Sequence, residues 1–440
     1  MASAAYTPRG RDAASLQHDL EEAVLHGRLA PGDQLPSVRA LARDLGLSPS
    51  TVASAYRELR RRGLLVTQDR ARTLVAHQPV PVFRLAPTVP EGTVDLATGN
   101  PDPTLLPDLA PVLAGVPTTQ HRYTEDVVVP ALREQAVATL RADGIPTDDL
   151  VVVGGALDGI ERVLGVHLRP GDRIGVEDPG YPGSLDLVRA LGLEPIGIEV
   201  DADGLLPDHL EVALADGLHA LLLTPRGQNP TGAALTPART EQLRRCLAPH
   251  PEVLAIEDDH LGAVAGAGPA TVTTDRPRWA VIRSVAKWLG PQLRVAVLAA
   301  DADTAARVLA RQRLGTGWVS QLLQHVVAAS WSQAEAGGLL ERATERYTQR
   351  RTALLDALAA QDVAAIGASG LNVWIPTPEE ATVVQALAAR GWAVAAGEVF
   401  RLRSAPAIRI TTATLDPDAA PALARDVAEV LADRLVGRRG

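Results

Sequence analysis

Lysine is almost missing from these 440 residues: of 43 Lys and Arg side chains, only Lys287 is a lysine. Arginine therefore fills every basic role but one. The guanidinium stays protonated, whereas a buried lysine amine can lose its proton and form a Schiff base with an aldehyde. The bland alternative is a surface lysine left over in an arginine-rich composition. Cysteine is as scarce. Cys246 stands alone, which excludes an intrachain disulfide framework and a cysteine-held metal cluster and agrees with a cytoplasmic protein. No stretch of eighteen apolar residues occurs and no signal-peptide pattern opens the chain, so the expectation is a soluble chain with no membrane partner.

The charge that is present is unevenly spread. Net charge is −9, yet residues 1–77 carry 11 Arg against 8 Asp and Glu, and the remainder carries 32 basic against 44 acidic residues. A mildly basic head on an acidic body points to a polyanion met by the head alone. Within it, Leu16, Leu20, Ala23 and Val24 space a helix over 12–27, and Val38, Leu41, Ala42 and Leu45 a short one ending at Gly46. Ser48-Pro49 then supplies an N-cap and a first-turn proline for a third helix, burying Val52, Tyr56 and Leu59 and running to about Arg62. Strands at 64–68 and 72–76 enclose the turn Asp69-Arg70-Ala71. Three helices and a hairpin make a winged helix-turn-helix.

Prolines 79, 81, 87 and 90 favour an extended tether over 78–92. Beyond it, apolar runs at 150–153, 173–177, 195–200, 220–224, 253–257, 279–285 and 295–300 alternate with helix-length segments. The pattern predicts an α/β domain over 93–329 with a mostly parallel seven-stranded sheet. Shorter strands at 371–376, 392–396 and 407–412 predict a small α+β lobe over 330–440.

The distinctive residues fall where strands of such a sheet end, which is where these folds hold ligands. Gly154-Gly155-Ala156 opens a helix whose free amides suit a phosphate, although a plain turn reads the same way. Tyr181, one of five tyrosines, follows a strand in Glu177-Asp178-Pro179-Gly180-Tyr181, either as a stacking ring or as a rim aromatic. Thr224-Pro225-Arg226-Gly227-Gln228-Asn229-Pro230-Thr231-Gly232 places Asn229 in a loop. Ile256-Glu257-Asp258-Asp259-His260 ends a strand with three carboxylates and an imidazole, a set that could hold a metal but more commonly pairs one carboxylate with a buried cation. Ser284 and Arg294 flank Lys287, a hydroxyl and a fork donor suited to one phosphate.

Two resemblances follow. Leu35-Pro36-Ser37-Val38-Arg39, Leu41-Ala42, Leu47-Ser48, Thr51-Val52 and Ala55-Tyr56 resemble the GntR-type DNA-binding domain. The resemblance implies that Arg39, Ser48, Ser50, Thr51 and Arg57 face double-stranded operator DNA, with the third helix in the major groove. Pro49 and Asp69-Arg70 depart from the family pattern. Residues 92–440, in the order of motifs given above, resemble fold-type-I pyridoxal phosphate enzymes of the aminotransferase class. This implies pyridoxal 5'-phosphate as cofactor, joined to Lys287. By the same resemblance Asp258 pairs with the pyridine nitrogen, Tyr181 stacks on the ring, and Asn229 bonds the phenolic oxygen. Gly155, Ala156, Ser284 and Arg294 bind the phosphate, Tyr123 reaches the phosphate of a partner subunit, and Arg409 clamps a substrate carboxylate. His260 stands where a tyrosine usually donates to the phenolic oxygen, and Leu157-Asp158 replace a polar pair.

The joint architecture resembles the MocR subfamily of GntR-type regulators. The expectation is a head-to-tail homodimer whose DNA affinity depends on pyridoxal phosphate or on an amine or amino-acid effector. The alternative is a working aminotransferase with an accessory head.

Overall fold

The computed structural model describes residues 6–25, 28–61, 64–68, 72–76, 89–117 and 126–436. The turn 69–71, Arg62, Tyr123 and most of the proline-rich tether (77–88) lie outside the described residues.

The head is built from α1 (Ala13–Leu25), β1 (Gln34–Leu35), α2 (Val38–Leu45), α3 (Pro49–Arg61), β2 (Leu65–Gln68) and β3 (Arg72–Val75). Each boundary has a local cause. Ser37 caps α2 by accepting from the Ala40 amide at 3.2 Å, and Gly46 closes it with φ 66°, a left-handed conformation that costs glycine little. Ser48 Oγ accepts from the Thr51 amide at 3.1 Å, which makes it the cap of α3. Leu16, Leu20, Ala23, Leu41, Val52, Tyr56 and Leu59 form one buried cluster. The strands pair antiparallel in the order β1-β3-β2. β1 was not expected, because two residues carry no periodicity. The Ser48→Ala variant is expected to lose about 0.5–2 kcal/mol of head stability. A thermal melt of the head that does not move would contradict the capping role.

The body begins with β4 (Val94–Leu96), α4 (Leu109–Gly115) and α5 (Pro130–Ala142). The large sheet follows. Its members are β5 (Leu150–Val153), β6 (Arg173–Asp178), β7 (Glu194–Asp201), β8 (Gly204–Leu205), β9 (Ala220–Leu223), β10 (Leu254–Asp259), β11 (Trp279–Ser284) and β12 (Ala296–Ala300). Helices α6 (Ala156–His167), α7 (Pro182–Ala190), α8 (Pro207–Ala215) and α9 (Pro237–Leu247) connect them. Strand order is β5-β12-β11-β10-β9-β6-β7-β8, with β6, β9, β10 and β11 mutually parallel and β12 antiparallel to both neighbours. The seven expected runs are all strands. The eighth, β8, is a two-residue antiparallel partner of β7. β9 to β12 are buried at every position, which is why they open as apolar runs rather than alternating ones, with charged residues only toward the ends of β10 and β11.

The chain continues through α10 (Ala302–Arg313), α11 (Gln321–Ala336) and α12 (Leu339–Ala359). It ends with β13 (Asn372–Pro376), α13 (Glu380–Ala388), β14 (Trp392–Ala396), β15 (Ala407–Thr411) and α14 (Ala420–Val436). The small sheet has the order β13-β15-β14-β4. β4, three residues near the start of the body, thus pairs in parallel with β14 of the C-terminal lobe. Among the described residues no helix is long and apolar enough to cross a membrane.

Candidate cofactor site

Four neighbouring strands, β6, β9, β10 and β11, run parallel, and their C-terminal ends converge on a cleft of about 140 Å³. Its lining is Ala156, Leu157, Tyr181, Thr224, Asn229, Asp258, His260, Ser284, Ala286, Lys287 and Arg294. Eight residues singled out from sequence as cofactor contacts are therefore in one place: Ala156, Tyr181, Asn229, Asp258, His260, Ser284, Lys287 and Arg294. Gly155 adjoins them.

The charges in this cleft are shaped by burial. Lys287 Nζ donates to the Gly99 carbonyl at 2.7 Å. Burial, with the Arg409 charge adding to it, lowers the amine to about 8, so an uncharged nucleophile is accessible near neutral pH. Asp258 is 7% exposed and its Oδ1 has no hydrogen-bond partner. Burial raises this carboxyl to about 7, with Asp259 contributing. His260 Nδ1 is likewise buried without a partner, and burial beside Lys287 lowers the ring to about 4, so the imidazole is neutral.

The three carboxylates ending β10 have three different fates. Glu257 accepts from the Val272 amide at 2.6 Å and from Thr271 Oγ1 at 3.0 Å. Asp259 takes the cation pairing, accepting from Arg226 Nε at 2.9 Å, Arg226 Nη2 at 2.8 Å and Arg283 Nε at 2.8 Å. Both arginines also reach Asp143. Asp258 is left facing the cleft. Among the described residues no group of three or more His, Cys, Asp or Glu is placed to hold a metal ion.

At the opposite end, α6 starts after Gly155, which has φ 103° and no side chain to cap the helix. A β-carbon there would lie 2.9 Å from Arg294 Nη2, so glycine is what lets the guanidinium approach the helix start. First-turn amides and one guanidinium make a cradle for an anion. Ser284 Oγ accepts from the Ala286 amide at 3.2 Å. Asp158 is turned away, accepting from the Gly154 amide at 2.8 Å and Arg162 Nε at 2.9 Å.

Arg409, on β15, reaches the same region from the small lobe. Its Nη1 donates to Asn229 Oδ1 at 3.0 Å and its Nη2 to the Ala97 carbonyl. The guanidinium carbon lies 4.7 Å from the Phe400 ring centre. Burial lowers this group to about 10. Sequence reading missed Thr224, Ala286 and the carbonyls of Ala97 and Gly99. Thr224 stood in a quoted motif without a role of its own, and Gly99 left only the turn-forming Gly99-Asn100-Pro101.

On the head, Arg39, Ser50 and Arg57 are exposed and Thr51 is half-buried. Ser48 Oγ lies 2.7 Å from both Ser50 Oγ and Thr51 Oγ1, so the hydroxyls at the start of α3 form one cluster. Arg60 Nη1 donates to Thr67 Oγ1 at 3.0 Å, bracing α3 against β2.

Residues 91–427 match the family model of aminotransferase class I and II, and residues 13–75 that of the bacterial regulatory proteins of the gntR family. The chain belongs to the GntR-type transcription regulators that carry an aminotransferase-like domain, the MocR arrangement. The vitamin B6 salvage pathway transcriptional repressor PtsJ of Salmonella typhimurium is 37% identical over 96% of this chain and 99% of its own. The HTH-type pyridoxine biosynthesis transcriptional regulator PdxR of Corynebacterium glutamicum is 31% identical, covering 78% of each chain. Among solved structures, an archaeal alanine:glyoxylate aminotransferase covers 78% of this chain and 91% of its own with a TM-score of 0.70. At 22% identity it shows the fold.

Proposed function

We propose that the body of this regulator holds pyridoxal 5'-phosphate at Lys287 and that occupancy of the site sets the DNA affinity of the head. The observation that carries the reading is the pairing of a buried, unpartnered Asp258 carboxylate with the only side-chain amine of the protein in one cleft. A carboxylate left without a donor at that depth is costly unless a cation meets it, and a protonated pyridine nitrogen is such a cation. When bound, the cofactor supplies an aldehyde on an electron-withdrawing ring. Lys287 is the amine for that aldehyde, Tyr181 the face for the ring, and Asn229 and His260 the neighbours of the phenolic oxygen. Gly155, Ala156, Ser284 and Arg294 receive the phosphate, with Tyr123 of a second copy completing it in a head-to-tail homodimer. Arg409 is placed to select a ligand that carries a carboxylate.

Two relatives are named for vitamin B6 salvage and pyridoxine biosynthesis. Their names support the cofactor itself as the signal, ahead of an amine or amino acid. On the head, Arg39, Ser50, Thr51 and Arg57 meet operator DNA, with Ser48 acting through its cap, and the protein works in the cytoplasm. The test is DNA affinity, measured by fluorescence anisotropy on the region upstream of its own gene, with and without pyridoxal phosphate at fixed salt. The expected change is about 5–150-fold, the usual range of coupling between two sites. Equal affinity in both conditions would overturn the sensing role.

A further inference from the structure

Beneath the cleft lies a buried group that none of the roles above uses. β6 and β10 flank β9, with Val176 and Ile256 both opposite Leu222, so Glu177, Thr224 and Asp258 lie at the adjacent ends of three strands. Glu177 is 7% exposed. Its Oε1 accepts from the Thr224 amide at 3.0 Å, and its Oε2 from Thr224 Oγ1 at 2.9 Å and Gln228 Nε2 at 3.2 Å. Gln228 is fully buried, and its amide group bonds on every side. Nε2 also donates to the Pro179 carbonyl at 2.8 Å, while Oε1 accepts from the Thr231 amide at 2.9 Å and Thr231 Oγ1 at 2.6 Å.

We infer that Glu177 is a positioning residue of this site: through Gln228 and Thr224 it fixes the loops that carry Tyr181 and Asn229, and it adds a second carboxyl across β9 from Asp258. The inference rests on the cofactor reading above. Pro179 lies two residues before Tyr181, and Gln228 immediately precedes Asn229, so one buried carboxamide locks both loops in register. Only neutral donors contact Glu177. Burial raises its carboxyl to about 7, with the Asp258 charge adding to the effect. Lys287 and His260 share the cleft with Asp258 and are the same in every variant below; the remaining charged groups nearby are committed elsewhere. Asp178 accepts from the amides of Leu402, Arg403 and Ser404, Asp259 is paired with Arg226 and Arg283, and Tyr181 faces Asp258, Arg294 and Arg409. Glu177 and Asp258 stand on β6 and β10, on either side of β9, and like charges facing one another across it disfavour each other. A negative Glu177 therefore makes Asp258 harder to ionise, and the charged Asp258 is the form that holds a pyridinium.

The sign of the test follows. Affinity for the cofactor falls as pH falls through the titration of Asp258. Glu177→Gln removes the neighbouring charge, so that acid limb moves to lower pH, by about one unit. The probe is pyridoxamine phosphate, which makes no covalent bond to Lys287, followed by quenching of protein fluorescence from pH 5 to 9. Gln228→Ala keeps both carboxyls but cuts the tie between loops, and is expected to weaken binding at least tenfold at every pH without moving the limb. Thr224→Val removes a donor to Glu177, keeps it neutral over a wider range and shifts the limb the same way by less, which carries the test should Glu177→Gln not fold. A Glu177→Gln limb that coincides with wild type, or a Gln228→Ala protein that binds as wild type does, overturns the inference. If no variant, wild type included, binds pyridoxamine phosphate, the cofactor reading itself fails.

Discussion

Replacing Asp259 with alanine is expected to lower the stability of the body by about 3–5 kcal/mol, the cost of removing one partner from a buried ion pair. Asp259 is 2% exposed and sits between two guanidiniums, Arg226 and Arg283, which hold its carboxyl well below the usual range against the opposing effect of burial. The variant leaves those two cations sharing Asp143 alone. A depressed carboxyl contributes stability above its unfolded pKa and loses it only as pH falls through the folded value, here in strong acid. The wild-type advantage over Asp259→Ala is therefore expected to persist from neutral pH down to pH 4. Urea unfolding of the body, followed by tryptophan fluorescence, reads the difference. A variant within about 1 kcal/mol of wild type would show that relaxation or water replaces the lost partner.

That quartet also marks a limit of sequence reading. Arg226, Arg283 and Asp143 were ordinary charged residues in the chain. Arg283 is the penultimate residue of a strand that is buried throughout, and nothing local to Arg226 or Asp143 distinguishes a buried ion pair from a solvated one. Residues of rare type at strand ends were legible because their chemistry is costly to bury without purpose: the single lysine, Asp258 after an apolar run, Arg294 seven residues beyond Lys287. Strands of the large sheet with four or more residues were legible from their apolar runs. β1, β4 and β8 were not, since two or three residues define no period and their pairing partners are distant in sequence. Main-chain contributions were invisible for a different reason. The Ala97 and Gly99 main-chain carbonyls that meet Arg409 and Lys287 belong to residues with no polar side chain to mark them. Thr224 was quoted within a motif, yet its bonds to Glu177 depend on β6 and β9 being neighbours, which is topology.

The second large effect concerns Lys287. Burial in the cleft lowers its amine to about 8, and no other lysine exists to replace it. Lys287→Ala removes the nucleophile. Lys287→Arg keeps a cation but not one that can shed its proton near neutral pH. Both are expected to lose covalent capture of pyridoxal phosphate completely while retaining the fold, since the side chain makes one hydrogen bond, to Gly99. The most direct measurement of the account is peptide mass spectrometry after pyridoxal phosphate loading and borohydride reduction. The account predicts one phosphopyridoxyl group on the wild-type peptide containing Lys287 and none on either variant. Label confined to the N-terminal amine, or equal label in the Lys287→Arg protein, would contradict it.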